Sequence, residues 1–480
     1  MRSAKTSEVI PVRSNMQWDF ALFFAVIFLC VLWKRRKLYA LSFQLPGAVA
    51  FPLVGNGISF MCRSEELLNA ILKLTFPYPS PARLWLGPQL MVFVSDPDQL
   101  QVLMQSSKLA TKSFLYSFLE PFMGKGVFTS QGNKHKFQKK LLQPLFGPKV
   151  LEGYSRLFQK HATRFYHIFA QRVTTFWLYP NWVYKLTSYY KEQQEMAKTA
   201  ANLTEEVPTY FIKSFTTNLL SSGYICVKQA RIPAILQKLD GKNNKVTDPR
   251  IPSMLEAMVE MAVNNPGCLN ETDIKDHMLT FVSTASTVRS QDTQSSVIAF
   301  TLMMLGKHPH VQNKVVEELV EVSGGKKSVD FNDLRRLNYM EMCLKEAMRL
   351  FPLAPFMPRD VLEDVQFGKW TLPAGCSVLF GVYHVHRNPE LWERPEEFYP
   401  EHFTPEAASK RHPFAFLPFS AGPRRCIAQQ YSYTNMKILL STILLNYVVE
   451  CEGSFKDMRI IMDVSIRSRD GYMIKIKNRT

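Results

Sequence analysis

Cys426 stands in the run Phe419-Ser-Ala-Gly-Pro-Arg-Arg-Cys-Ile-Ala428, whose spacing F-x-x-G-x-R-x-C fixes four residue types around one sulfur. A thiolate is a soft, electron-rich ligand that can hold haem iron and push charge onto it, which favours O–O bond cleavage. The neighbours suit that task. Gly422 lets the backbone turn tightly beneath a flat macrocycle. Arg424 offers a fixed fork of donors for a propionate, and Phe419 can shield the sulfur from water. Such surroundings keep a thiolate unprotonated and tune the metal. The other seven of the eight cysteines read as small buried hydrophobes.

A second motif lies upstream. Glu346 and Arg349, in Lys-Glu-Ala-Met-Arg-Leu, are three apart among strong helix formers and so share a helix face. Alone, E-x-x-R usually marks a solvated ion pair. Here Phe351-Pro-Leu-Ala-Pro355, Pro358-Arg359, Val385-His-Arg-Asn-Pro389 and Trp392 follow in order before the Cys run. With these motifs the chain resembles the cytochrome P-450 superfamily of haem-thiolate monooxygenases, across nearly its whole length and most densely from Asp273 to Lys437. Pro418-Phe-Ser-Ala-Gly-Pro-Arg and Asp273-Ile-Lys-Asp276 are most similar to the family-4 clan, insect members included.

The resemblance implies a mainly helical fold with a small β-rich lobe, holding haem b through the Cys426 thiolate. It implies that Arg359 and Arg424 serve the cofactor. It also implies a buried Glu346–Arg349 network completed from Phe398-Tyr-Pro-Glu-His-Phe403, where the family commonly has Arg and this chain has His402. A histidine can donate to the same carboxylate, which gives a weaker network. Gly132-Asn-Lys-His-Lys-Phe-Gln-Lys-Lys-Leu-Leu-Gln-Pro144 resembles the family's G-x-x-W-x-x-x-R-x-L-L-x-P helix, with His135 for Trp and Lys139 for Arg. Each can donate to a propionate, Lys without the guanidinium fork. Read without the family, this segment is a basic, solvated helix face.

The N-terminus bears on location. Phe20 to Trp33 is uninterrupted apolar sequence, with Trp18 and Trp33 at its ends and Lys34-Arg-Arg-Lys37 immediately after. The run is shorter than the roughly 20 residues that span comfortably. The basic cluster keeps the following chain on the cytosolic side. A cleaved signal peptide is the rival reading, and no small-residue cleavage site precedes the cluster. The expectation is therefore a membrane anchor over 1–37, a Pro/Gly hinge over 38–56 and a catalytic domain over 57–480, in the endoplasmic reticulum.

Composition narrows the partners. A 480-residue chain with 46 % hydrophobic residues can bury a large core. The irregular cysteine spacing shows neither a disulfide framework nor a zinc pattern. The net charge of +17 comes without a basic stripe interleaved with aromatics, so no nucleic-acid partner is expected. An anionic membrane face and an acidic electron donor explain the charge better; the resemblance implies an NADPH-dependent reductase, with cytochrome b5 as a second candidate. Asn202-Leu-Thr and Asn270-Glu-Thr fit the glycosylation pattern and stay unused on a cytosolic body.

Oxygen chemistry needs protons delivered into a pocket that otherwise excludes water. The family uses an acid–alcohol pair in a long helix, within A/G-G-x-D/E-T-T. Aligned from the left, Asp273 to Ser286 fits, with Phe281 in place and Ala285 for the central Gly. Aligned from the right, Asp292 and Thr293 are the pair, and His308-Pro-His-Val-Gln312 closes the helix. The halves agree if Thr287 to Gln291 are extra. Five extra residues add about 500° of helical rotation at 3.6 per turn, so the insert has to bulge for both halves to keep register. The bland alternative for Asp292-Thr293 is an ordinary polar pair. The family-4 Glu that can esterify haem falls on Thr284, so no covalent link is expected.

Other blocks depart further. Phe165 runs almost directly into Tyr166-His-Ile-Phe-Ala-Gln-Arg172, where family-4 chains have several dozen residues between the corresponding points. Pro208 to Gln229 has no recognisable counterpart. Val207 and Val288 open the two extra blocks, and Gln229 and Gln291 close them, as unspliced boundaries would. Two function classes follow: a membrane-anchored monooxygenase acting on a small apolar substrate (fatty acid, hormone or xenobiotic), and a catalytically silent or misassembled haem-binding paralogue. A dioxygen-independent haem-thiolate isomerase is a third.

Overall fold

The structure is a computed structural model. It describes Phe23, Val26, Leu29 and Cys30, then residues 32–159 and 254–479, with breaks at 31, 52–53, 149, 154, 156–158, 286–291, 454–457, 463–464, 470 and 473. The expected fold class holds: helices dominate, beside a small β region. Most of Phe20 to Trp33, the junction at 165/166, Pro208 to Gln229 and Thr287 to Gln291 lie outside the described residues. Among the described residues no helix is long and apolar enough to cross a membrane.

The segment after the basic cluster packs on the body. Helix α1 (Arg36–Gln44) buries Leu38 and Leu41, and with Leu45 they join a core that includes Trp85 and Leu90. Tyr39 stacks on Trp85 at 5.4 Å, and the indole N–H donates to Ser42 Oγ at 2.9 Å. Asn56 then clamps the strand edge, its Oδ1 accepting from Trp85 N at 3.0 Å and its Nδ2 donating to Val49 O at 2.9 Å. Proline and glycine here shape a docked strap.

That strap lies on a four-stranded sheet. Strands β1 (Ala82–Leu86) and β2 (Gln89–Val94) form a hairpin across Gly87, which has φ +57°. β2 pairs in parallel with β6 (Ser377–Gly381), and β6 pairs antiparallel with β3 (Phe356–Asp360). The inner strands are covered on both faces, hence the continuous apolar run of β2. β4 (Val365–Phe367) and β5 (Trp370–Leu372) form a small hairpin beside it.

Helix α2 (Ser64–Thr75) precedes the β1–β2 hairpin, and α3 (Pro97–Gln105) follows it, starting where Asp96 accepts from Gln99 N at 2.9 Å. α4 (Gly132–Leu142), α5 (Met254–Asn264) and α6 (Glu271–Ala285) come next in the described chain. The main helical core is built from α7 (Asp292–Lys307), α8 (Pro309–Ser323), α9 (Asn338–Leu350) and α10 (Gln429–Asn446). α9 buries Met340, Cys343, Leu344 and Ala347, the i, i+3, i+4, i+7 stripe that faces a core. Phe300 of α7 stacks on Phe351 at 4.0 Å with rings nearly parallel. Pro309 opens α8 and Gly324 closes it at φ +60°. The paired strands β7 (Tyr447–Glu450) and β10 (Lys475–Asn478) flank this core, as does the hairpin of β8 (Ile460–Met462) and β9 (Ile466–Ser468).

Two buried histidines tie the layers in their neutral form. His386 Nε2 accepts from Leu417 N at 2.8 Å, and His277 Nδ1 accepts from Val127 N at 3.1 Å. Burial lowers both pKa values, that of His277 to about 4. The folded state therefore resists a proton that the unfolded chain takes up near pH 6.5. Their contribution is complete above about pH 6.5 and falls as pH drops through the window toward 4. Each engaged histidine lowers unfolding free energy by about 1.4 kcal/mol per pH unit. Denaturant melts at pH 7, 6 and 5 test this; a flat profile refutes it.

Candidate active site

The Cys426 loop is a strained turn held from several sides. Ser420 has φ +61° and Gly422 φ +64°. A Cβ at Gly422 would lie 2.0 Å from Met104 O at the end of α3, so only glycine allows this approach. A 3₁₀ turn over Gly422–Arg424 follows, and Cys426 N closes the loop on Phe419 O at 2.9 Å. Phe419 itself packs on Tyr433 of α10, with ring centroids 5.3 Å apart. The Cys426 side chain is reachable by water yet lies deep among protein atoms, as a residue lining an internal cleft does. Burial pushes its thiol up. The Ala428 N–H and the charges of Lys139, Lys112 and Arg425 act the other way, towards the thiolate.

Cations gather beside the sulfur. Lys112 pairs as a β-bridge with Arg359, and both are buried. Arg424 donates through Nε to Ala110 O at 2.5 Å and through Nη2 to Ser130 O at 2.7 Å, while its Nη1 is buried without a partner. Lys112 Nζ sits 3.2 Å from the Phe128 ring centroid. Burial, then Arg359 and Arg424, drive the Lys112 pKa well down, and Cys426 opposes them. His135 feels the same surroundings: burial and then Arg424, Lys139, Lys112 and Arg359 hold it at about 3, hence neutral with one N–H to give. Among the described residues Lys112, Arg359 and Arg424 make no ion pair. A dianionic group placed here would satisfy the orphaned Nη1 and relieve the mutual repulsion, so this donor set fits haem propionates above a thiolate.

Lys139 has a place that the sequence did not indicate. Its ammonium donates to Pro423 O at 2.9 Å and Arg425 O at 2.7 Å, so it grips the Cys426 loop. Its shorter reach and lack of a fork leave the loop carbonyls as its nearest acceptors. Lys112 was not legible in the sequence, since Thr-Lys-Ser carries no motif and its place is set by the distant Arg359.

The expected network is assembled and buried, with Glu346 and Arg349 both 0 % exposed. Arg349 grips Glu346 bidentately, Nε to Oε2 and Nη2 to Oε1, each at 2.8 Å. Its fork also donates to His386 O, Pro395 O and Glu397 O. His402 Nδ1 reaches Glu346 Oε1 at 3.2 Å and Tyr399 N reaches it at 2.9 Å. Burial alone would raise the Glu346 pKa; the bonds from Arg349 and His402 reverse this and hold it below the usual range. Arg411 lies 3.8 Å over Trp392 and donates to His402 O at 2.7 Å, a cation the motif reading missed.

Asp292 and Thr293 fall in the first turn of α7; their side chains lie outside the described residues. The next residue anchors that end. Gln294 Nε2 donates to Ser432 Oγ at 3.2 Å, and Asn435 Nδ2 donates to Gln294 Oε1 at 2.5 Å, both partners on α10 shortly after Cys426. On the other side Phe146 bridges Phe281 of α6 and Tyr431 of α10, at 5.8 and 6.3 Å. Both helix halves thus reach the helix that leaves the Cys loop.

Comparison with known proteins agrees with this geometry. The family model described as Cytochrome P450 matches residues 45–188 and 158–475. Cytochrome P450 4c3 of Drosophila melanogaster is 29 % identical, covering 96 % of this chain and 94 % of its own length. Cytochrome P450 4V2 of Mus musculus is also 29 % identical over 90 % of this chain and 89 % of its own. Cytochrome P450 4g15 of Drosophila melanogaster is 25 % identical over 96 % and 97 %. With a model match across most of its length, the chain belongs to the cytochrome P450 family, whose members are haem b monooxygenases with a cysteine thiolate ligand.

Proposed function

We propose that this chain inserts one oxygen atom from O₂ into an apolar organic substrate, using electrons passed from NADPH by a reductase, with Cys426 as the residue that would hold the haem. The observation that carries the assignment is the convergence of Lys112, His135, Arg359 and Arg424 beside a water-reachable Cys426. Haem, when bound, supplies the oxygen activation. The chain supplies the rest. The Ala428 N–H and nearby cations favour the thiolate, and the buried cations seat the propionates. Asp292 and Thr293 hold and pass protons from the start of α7. Glu346, Arg349 and His402 keep the helical body rigid beneath the site.

Thr293→Ala tests the proton path. A positioned donor within hydrogen-bond reach contributes roughly 10²–10⁴-fold to a proton-transfer step, whereas electron delivery does not need it. NADPH consumption continues while hydrogen peroxide replaces product, and product formed per NADPH drops at least about tenfold. Deleting Thr287 to Gln291 restores helix register and raises coupling. If the deletion lowers haem binding and Thr293→Ala changes nothing, the pair is ordinary helix surface.

A silent haem-binding paralogue is the second reading. It is favoured by the segment missing near 165/166 and by the five extra residues Thr287 to Gln291. Wild-type protein that shows a thiolate spectrum but consumes no NADPH with any apolar substrate and reductase decides for it.

We also propose that Phe20 to Trp33 anchors the chain in the endoplasmic-reticulum membrane, with the body in the cytosol. Phe23, Val26, Leu29 and Trp33 are exposed apolar side chains, and Lys34-Arg-Arg-Lys37 follows them. Protease added to intact microsomes digests the haem domain; protection of that domain reverses the topology.

A further inference from the structure

Helix α4 carries Lys134, Lys136, Lys139 and Lys140. Lys139 is half-buried and the others are exposed. It gives two hydrogen bonds to carbonyls that stand three residues and one residue before Cys426, Pro423 O at 2.9 Å and Arg425 O at 2.7 Å. Between them the backbone makes the 3₁₀ turn, in which Arg425 N bonds Gly422 O at 3.1 Å. A single ammonium thereby spans the last turn before the sulfur.

We infer that Lys139 is a positioning residue for the thiolate: it ties the Cys426 loop to α4, fixes the height and direction of the sulfur, and sets a positive charge beside it. A loop carrying a positive-φ serine and a positive-φ glycine opens readily without such a tie. Hydrogen bonds from a charged donor are about twice as strong as neutral ones, and two of them hold this turn closed. The charge does separate work, because positive charge near the ligand disfavours the oxidised, more positive metal and so raises the reduction potential. Burial lowers the lysine's pKa and the Cys426 thiolate opposes that shift, so the two groups support each other's ionised form. The surrounding charges are Arg424 and Arg425, both of the same sign. Neither replaces the tie, since Arg424 is committed to Ala110, Ser130 and Gln131, and Arg425 to Gln429.

The inference rests on Cys426 being the ligand. Lys139→Met keeps the length of the side chain and removes the charge and both bonds. In the full-length protein, hydrogen exchange of the Arg425 and Cys426 amides speeds up by about tenfold or more, one charged bond being worth about that factor. The midpoint potential of the haem moves to more negative values. Lys139→Arg restores both. Unchanged amide exchange in Lys139→Met overturns the inference. So does an unchanged potential with only a raised KM for the reductase, which would make Lys139 part of a docking surface. Should Lys139→Met fail to fold, Lys139→Gln is measured instead, and wild-type exchange with wild-type potential there refutes the tie. A thiolate spectrum that survives Cys426→Ser fails the ligand assignment alone, because the exchange measurement reads the tie without haem.

Discussion

Cys426→Ser abolishes the thiolate-type absorption of the reduced, carbon-monoxide-bound protein and with it all substrate oxidation. The hydroxyl of serine stays protonated where a thiol can ionise, and it lacks the soft electron density that a haem iron draws on. The loop itself should survive, since its closing bond runs from the Cys426 amide to Phe419 O and Gly422 still packs on Met104. Serine is nearly isosteric, so the loss reads ligand chemistry and not collapse. Absorption spectra of purified wild-type and mutant protein settle it. Survival of the thiolate spectrum in Cys426→Ser, with its loss on substitution of another cysteine such as the half-buried Cys62→Ser, transfers the role elsewhere.

Glu346→Ala prevents stable haem incorporation. Arg349 is wholly buried and spends two of its donors on this carboxylate. Truncating one partner of a buried pair strands the other at roughly 3–5 kcal/mol, which is comparable with the whole stability of many domains, about 5–15 kcal/mol. His402 and Tyr399 N lose the same acceptor, so the segment leading to the Cys loop is released as well. Haem content per mole of protein and the thermal midpoint both fall. Full occupancy in the mutant would mean that the pair contributes no more than a surface ion pair does. Glu346→Gln, which keeps one oxygen acceptor, should retain more haem than the alanine variant.

What the sequence disclosed was whatever a short spacing determines. The Cys426 run dictates a turn wherever it occurs, and Glu346–Arg349 sit three apart on a helix whose buried stripe is visible in Met340, Cys343, Leu344 and Ala347. His402 was legible as a substitute because the segment around it keeps its order. The grip of Lys139 on the loop was not legible because its residue type does not fix its target: whether a helical lysine finds a carbonyl depends on how close the distant loop passes. Lys112 gives no signal for the same reason, its place being set by the bridge to Arg359. The packing of the strap was legible only in part: Leu38 and Leu41, three apart, mark an apolar helix face, while the core they enter with Trp85 and Leu90 is set by the fold.

The cradle is stitched from the two ends of the chain. Lys112, His135 and Lys139 come early, Arg359, Arg424 and Cys426 late, and Arg424 reaches back to Ala110 and Ser130. During synthesis at roughly 5–20 residues per second, Cys426 leaves the ribosome on the order of 15–60 s after His135. Through that interval the early cations face solvent without the sulfur or the late arginines, so haem cannot be captured while the chain grows. Cofactor loading is therefore the closing event of biogenesis in this protein, and nascent chains stalled before Cys426 should emerge haem-free.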